Sequence, residues 1–279
     1  MNITPITQQE NKVTQLLDIS TMSPFPEQSG NDILFIGATH GHEEIGVQAL
    51  QQLQIERGQK EFDWIIGNPP ALKQGEREYE GDLNRSAPGK LDSEQYAERR
   101  AAQLIQIADQ YTYTIDIHGS TKENGIFIII TRLTKKNLQL ASLFDIDRIV
   151  YWPALVPEME GPVSEYMQRG IEIECGVKTD PAVQRELKRV LRDFLDNREE
   201  RELLSEDEWK ASLEAKELYE FTSVLSTKKT GNVELQEFTK TTVTGVELYP
   251  VFVGSYSYTD HRGYGLEKRS IEELLESAE

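Results

Sequence analysis

Cysteine occurs once in the 279 residues, at Cys175, so no internal disulfide can staple the fold. Histidine is nearly as scarce, with only His40, His42, His118 and His261 to supply imidazoles. Positive charge is short as well: 30 Lys and Arg stand against 48 Asp and Glu, a formal net charge of −18. The field of such a chain repels nucleic acid and anionic membrane surfaces, so neither is an expected partner. No apolar run approaches the ~20 residues of a membrane span, and the polar N-terminus carries no signal-peptide hydrophobic segment. These absences point to a cytoplasmic protein. An anionic substrate would need a local cluster of Arg or Lys to overcome the acidic field. A monomer and a homo-oligomer both stay open.

What is present is an apolar fraction of 38%, spread along the chain and enough for a sizeable core. Residues 1–31 read as a polar leader with Pro5, Pro24, Pro26 and Gly30. Strands are expected at 33–36, 62–66, 113–117, 126–130, 148–152 and 171–175, with the apolar run at 126–130 central. Between them the spacing predicts a helix over 43–53, one capped by Asp92 or Ser93, a modest one over 138–144, and one capped by Asp180 and opened by Pro181. Gly67-Asn68-Pro69-Pro70 reads as a turn. Strands alternating with helices mean an α/β sheet with helices on both faces, here residues 32–200. A charged helical linker with a capping box at Ser205 and Glu208 follows over 201–214. Short strands broken by glycine then predict a small β-rich domain over 215–279.

Two histidines sit just past predicted strands, where α/β sheets place their ligands. His40-x-x-Glu43 spans one tight turn, so both side chains can converge on one ion, and His118 could supply a third ligand. Two imidazoles and a carboxylate with a fourth position left for water form the donor set of catalytic zinc. His42 is a rival ligand, and an ordinary surface turn also accounts for His-x-x-Glu. Asp116 shares a strand face with His118 and could orient its ring, or serve in a local hydrogen bond.

These residues belong to a longer set. Gly37-Ala38-Thr39-His40-Gly41-His42-Glu43, Gly67-Asn68-Pro69, Asp82-Leu83-Asn84-Arg85, Asp116-Ile117-His118, Ile173-Glu174-Cys175-Gly176 and Tyr249-Pro250-Val251-Phe252-Val253 occur in that order. In this the chain resembles the aspartoacylase and succinylglutamate desuccinylase branch of the zinc carboxypeptidase-like hydrolases. The resemblance implies a carboxypeptidase-like mixed sheet and one zinc ion per chain, held by His40, Glu43 and His118. It implies Glu174 as general base, although Glu172 shares its strand face and residue type alone does not choose between them. Cys175 points to the opposite face, as a core residue does. By the same resemblance Arg77 stabilises the developing oxyanion, Asn84 and Arg85 hold the substrate carboxylate, and Tyr258 contacts substrate. Arg77 also sits in the run Glu76-Arg77-Glu78, where a solvated charge is the plain alternative, and Tyr256 and Tyr264 compete with Tyr258.

Two positions depart from the aspartoacylase pattern. Ser164 stands ten residues before Glu174, where that pattern has an arginine for the side-chain carboxylate of N-acetylaspartate, and Ser255 replaces a glutamate. The expected activity is therefore zinc-dependent hydrolysis of the amide bond of a small, anionic N-acylated amino acid whose identity these departures leave open. A carboxypeptidase-like enzyme on short peptides and a non-catalytic metal-binding homologue are the alternatives.

If Arg85 grips a carboxylate with both prongs, Arg85→Lys keeps the charge but loses the geometry. Steady-state kinetics should then show the Michaelis constant rising more than turnover falls. Unchanged kinetics would remove the clamp.

Overall fold

The computed structural model describes residues 30–57, 61–155, 157–255 and 260–278. Most of the leader expected over 1–31 and the candidate Tyr258 lie outside them. Among the described residues ten strands form one sheet in the order β2-β1-β3-β6-β4-β5-β7-β10-β9-β8. They are β1 (Ile33–Gly37), β2 (Asp63–Ile66), β3 (Tyr113–Ser120), β4 (Phe127–Ile130), β5 (Arg148–Tyr151), β6 (Gly170–Val177), β7 (Glu217–Ser226), β8 (Thr241–Val243), β9 (Val246–Val251) and β10 (His261–Arg269). Parallel pairing joins β2, β1, β3 and β6, and β4 runs antiparallel to β6 near the middle of the order. The α/β architecture is the one the alternation of elements predicts, and the mixed sheet is the one the resemblance implies.

Both faces of β1 are buried, which is why Ile33-Leu34-Phe35-Ile36 shows no polar alternation. Ile33 and Phe35 enter a core shared with helices α1 (Ile45–Arg57) and, later in the chain, α5 (Pro181–Glu202). Leu34 and Ile36 face the opposite core, against Ala101 and Leu104 of α3 (Tyr96–Ala108). The first core is tied by aromatic contacts. Phe194 stacks on Phe144 with ring centroids 4.2 Å apart and meets Phe35 edge-on at 6.3 Å. The remaining helices are α2 (Pro69–Gln74), α4 (Lys135–Ser142), α6 (Glu206–Glu214), α7 (Thr227–Thr230) and α8 (Ile271–Ser277).

Several boundaries differ from expectation, each for a local reason. Gly67-Asn68-Pro69-Pro70 is not a simple turn but the start of α2: Asn68 Oδ1 accepts from Ala71 N at 3.3 Å, and proline is at home in a first turn. Helix α3 is capped by neither Asp92 nor Ser93. Ser93 Oγ accepts from Gln95 N at 3.1 Å in the preceding turn, and Glu80 reaches across to take Tyr96 N at 3.2 Å. Helix α1 starts at Ile45, which leaves Glu43 on the incoming loop. The capping box at Ser205 and Glu208 is present, and a second one at Ser270 and Glu273 opens α8, which the strand-rich reading of the C-terminal region missed.

The last strands are longer than expected and continue the main sheet. β7 pairs with β5 from Arg148↔Glu217 to Tyr151↔Glu220, and β10 pairs with β7. We keep a boundary near residue 215, between α6 and β7, as a proposal. No helix among the described residues is long and apolar enough to cross a membrane.

The aromatic packing should dominate stability. Phe194 is fully buried, so Phe194→Ala should cost about 3–5 kcal/mol in denaturant unfolding. Leu203→Ala, at a residue 86% exposed, should change stability by about 0.5 kcal/mol or less. Equal losses from the two would contradict this placement of the core.

Candidate active site

Glycine fixes the two loops beneath the site. A Cβ on Gly41 would lie 2.1 Å from the backbone carbon of Ala71, and one on Gly67 would lie 2.7 Å from Thr39 Oγ1. Only glycine therefore lets the loop after β1 settle on the start of α2. Gly67 N donates to Gly37 O at 2.8 Å and Asn68 N to Ala38 O at 3.0 Å. Arg100, buried in α3, ties down the same region by donating to the carbonyls of Gly67 and Ile66 at 2.8 and 2.7 Å. Sequence gave little sign of it, because Arg100 sits in a charged helix.

On this support the chain turns His40 and Glu43 inward. Glu43 is the hub: Oε1 lies 3.0 Å from His40 Nδ1, Oε2 lies 3.2 Å from His118 Nδ1, and Gly119 N donates to Oε2 at 3.1 Å. The three side chains are buried and offer ligand atoms within 4.8 Å of one another. Burial pushes the Glu43 carboxyl up, but His40 and His118 outweigh it and hold the group well below the usual carboxylate range. Burial likewise opposes the charged form of His118, yet Asp116 and Glu43 raise its proton affinity well above the usual histidine range. A concentration of negative charge facing two imidazoles is an environment a divalent cation would satisfy.

His40 Nε2 lies 3.4 Å from Asp82 Oδ1, and Asp82 Oδ2 accepts from Arg77 at 3.0 Å. Asp82 thus links a candidate ligand to the candidate oxyanion arginine. Only its place at the head of Asp82-Leu83-Asn84-Arg85 hinted at this. On the far side, Asp116 Oδ2 lies 3.1 Å from His118 Nε2, and Asp116 takes the Thr39 hydroxyl on both oxygens, at 2.8 and 2.9 Å. His42 stands at the cavity wall and is not in the three-residue cluster.

The register of β3 on β6 completes the site. Asp116 is level with Glu172 and His118 with Glu174, so all four point to one face, while Ile117 and Ile173 fill the core behind. Cys175 joins that core, buried and unpaired. Glu174 Oε1 is buried with no hydrogen-bond partner among the described residues. Burial, then Glu43, pushes the Glu174 carboxyl up to about 8. Asp116, His118 and Glu172 also offer atoms within 4.8 Å, a second arrangement of possible metal donors.

The cavity above this floor has a volume of about 900 Å³, its open mouth included. Arg77, Asn84 and Arg85 line one part of it. Asn84 is buried and its Oδ1 accepts from Val163 N at 3.2 Å, while Arg85 is exposed. Trp152, Phe252 and Tyr264 form an aromatic wall in which Trp152 meets Tyr264 at 5.0 Å between centroids. Lys178 also lines the cavity, with its proton affinity lowered by burial. Its position just beyond the end of β6 was a signal that sequence reading left unused.

Comparison with known proteins agrees with this geometry. Residues 29–197 match the family model of the succinylglutamate desuccinylase/aspartoacylase catalytic domain. A probable aspartoacylase of Prochlorococcus marinus subsp. pastoris is 32% identical over 120 residues, covering 40% of this chain and 41% of that protein. A succinylglutamate desuccinylase of Pseudomonas syringae pv. tomato is 28% identical over 117 residues, covering 37% and 35%. The matched stretch thus spans less than half the length of either relative. In fold, the crystal structure of murine aminoacylase 3 superposes with a TM-score of 0.63 at 19% identity, covering 88% of this chain and 97% of that one. The succinylglutamate desuccinylase of Chromobacterium violaceum gives 0.62 at 19% identity, covering 91% and 88%. With more than half its length inside the family model and the same fold as these structures, the chain belongs to the succinylglutamate desuccinylase/aspartoacylase family.

Proposed function

We propose that this chain is a zinc-dependent hydrolase that cleaves the amide bond of a small N-acylated amino acid, releasing a carboxylate and the free amino acid. The observation that carries the reading is Glu174, buried and level with His118, beside the converging His40, Glu43 and His118. The donor set fits zinc: two imidazole nitrogens and one carboxylate, buried, at the bottom of an open cavity. When bound there, zinc would supply Lewis-acid polarisation and an acidified water near neutral pH.

The chain's own groups do the rest. Glu174 Oε1 takes a proton from the attacking water and returns it to the leaving amine. A carboxyl held near neutrality by burial suits both directions of that transfer. Arg77, held by Asp82, offers positive charge to the developing oxyanion. Arg85 and Asn84 take the substrate carboxylate, with Tyr258 a further contact. These cations answer, locally, the repulsion that a net charge of −18 imposes on an anionic substrate. The aromatic wall of Trp152, Phe252 and Tyr264 favours a compact substrate over an extended peptide. The buried free thiol of Cys175 suits the reducing cytoplasm, where we place the protein. Nucleic acid and membranes have no part in this reading, and a homo-oligomer is compatible with it.

Two substitutions separate metal binding from chemistry. His118→Ala removes one of three ligands, and metal analysis should find zinc lost together with activity. Full zinc occupancy in that variant would refute the ligand set. Glu174→Gln keeps size and hydrogen bonding but cannot accept the proton, so zinc should stay while turnover on N-acyl amino acids drops roughly a hundredfold or more. Near-normal turnover would move the general base elsewhere, with Glu172 the first alternative.

A further inference from the structure

The floor of the cavity carries a second buried carboxylate that the proposed reaction does not use. Glu172 precedes Glu174 by two residues on β6, shares its face, lines the cavity and is 6% exposed. Its Oε1 accepts from Ser164 Oγ at 2.8 Å and from Asn84 Nδ2 at 3.5 Å. Ser164, fully buried, shares a hydrogen bond with Thr131 Oγ1 at 2.9 Å, so the residue that orients Glu172 is itself fixed. Both donors to the carboxylate are neutral. Among the described residues no Lys or Arg forms an ion pair with Glu172, and Arg77 on the same cavity pairs with Asp82.

Its hydrogen-bond donors bring no charge, and the nearby His118 ring is shared with Asp116 and Glu43, so a ligand can supply compensation that the protein leaves incomplete. An ammonium or similar cation brought beside Glu172 gains both hydrogen bonds and Coulomb attraction, whereas a carboxylate there meets like charge. The cavity is therefore polarised, with Arg77 and Arg85 among its lining cations and Glu172 at the floor. We propose that Glu172, positioned by Ser164 and Asn84, is the specificity-determining residue that admits N-acyl amino acids with a cationic side chain and turns away dicarboxylic ones. This inference rests on the hydrolase reading above and names the substrate class for that same site.

Binding and turnover test the two separately. The ligands are N-acetylornithine, N-acetylglutamine and N-acetylglutamate, which offer a cationic, a neutral and an anionic side chain. Calorimetry on the zinc-loaded Glu174→Gln protein gives dissociation constants with hydrolysis slowed, and the native enzyme gives kcat/KM. Binding of N-acetylornithine should be tighter than that of N-acetylglutamate by about tenfold or more, a difference of about 1.4 kcal/mol. Adding Glu172→Gln, which retains an oxygen acceptor for Ser164 and Asn84, should bring the two constants to within about threefold while zinc content stays the same. Glu172→Asp, which restores the charge, should recover most of the preference.

Tighter or equal binding of N-acetylglutamate by the Glu174→Gln protein would overturn the proposal without any Glu172 variant. So would a preference that survives Glu172→Gln, or zinc lost on that substitution, which would make Glu172 a metal ligand. If the native enzyme hydrolyses neither these three nor their N-formyl and N-succinyl counterparts while the binding order holds, the hydrolase reading fails and the role of Glu172 in selecting charge stands.

Discussion

The in-register pairing of β3 with β6 is the constraint on which the site depends. It sets Asp116 beside Glu172 and His118 beside Glu174, all on one face, with Ile117 and Ile173 packed behind. A slip of one residue on either strand would drive two charged side chains into an apolar core and lift two isoleucines into the cavity. The core thus enforces the alignment of the chemistry. The loop after β1 supplies the remaining part by delivering His40 and Glu43 opposite His118.

Electrostatics explains why an acidic chain can host this site. Four buried carboxylates, Glu43, Asp116, Glu172 and Glu174, crowd the cavity floor, and each has a different answer to burial. Glu43 is held by two histidines and a backbone amide, and Asp116 by the Thr39 hydroxyl and the His118 ring. Glu172 rests on neutral donors, and Glu174 answers by gaining proton affinity. In the proposed reading, these differences in partner separate metal holding, ring orientation, substrate choice and proton transfer among groups of one chemical type.

Much of this was legible in the chain itself. The strands with both faces buried announced themselves as short apolar runs, and Asp180-Pro181 and Ser205-x-x-Glu208 marked helix starts that the structure contains. The cluster of His40, Glu43 and His118 was visible because histidine is rare and two of the four follow strands. What escaped were features made by distant residues. Glu80 capping α3, Arg100 holding the carbonyls after β2 and Asp82 joining His40 to Arg77 are contacts between segments, and no local pattern encodes them. The orientation of Glu172 was likewise hidden, because Ser164 becomes its partner only once the segment before β6 folds back on the sheet.

The central claim is that His40, Glu43 and His118 form the metal centre. Anomalous diffraction at the zinc absorption edge, from crystals of the native protein grown with zinc, tests it most directly. The account predicts one strong peak in contact with Nδ1 of His40, the Glu43 carboxylate and Nδ1 of His118. A peak lodged instead among Asp116, His118 and Glu172, the other buried group able to hold a cation, would contradict it.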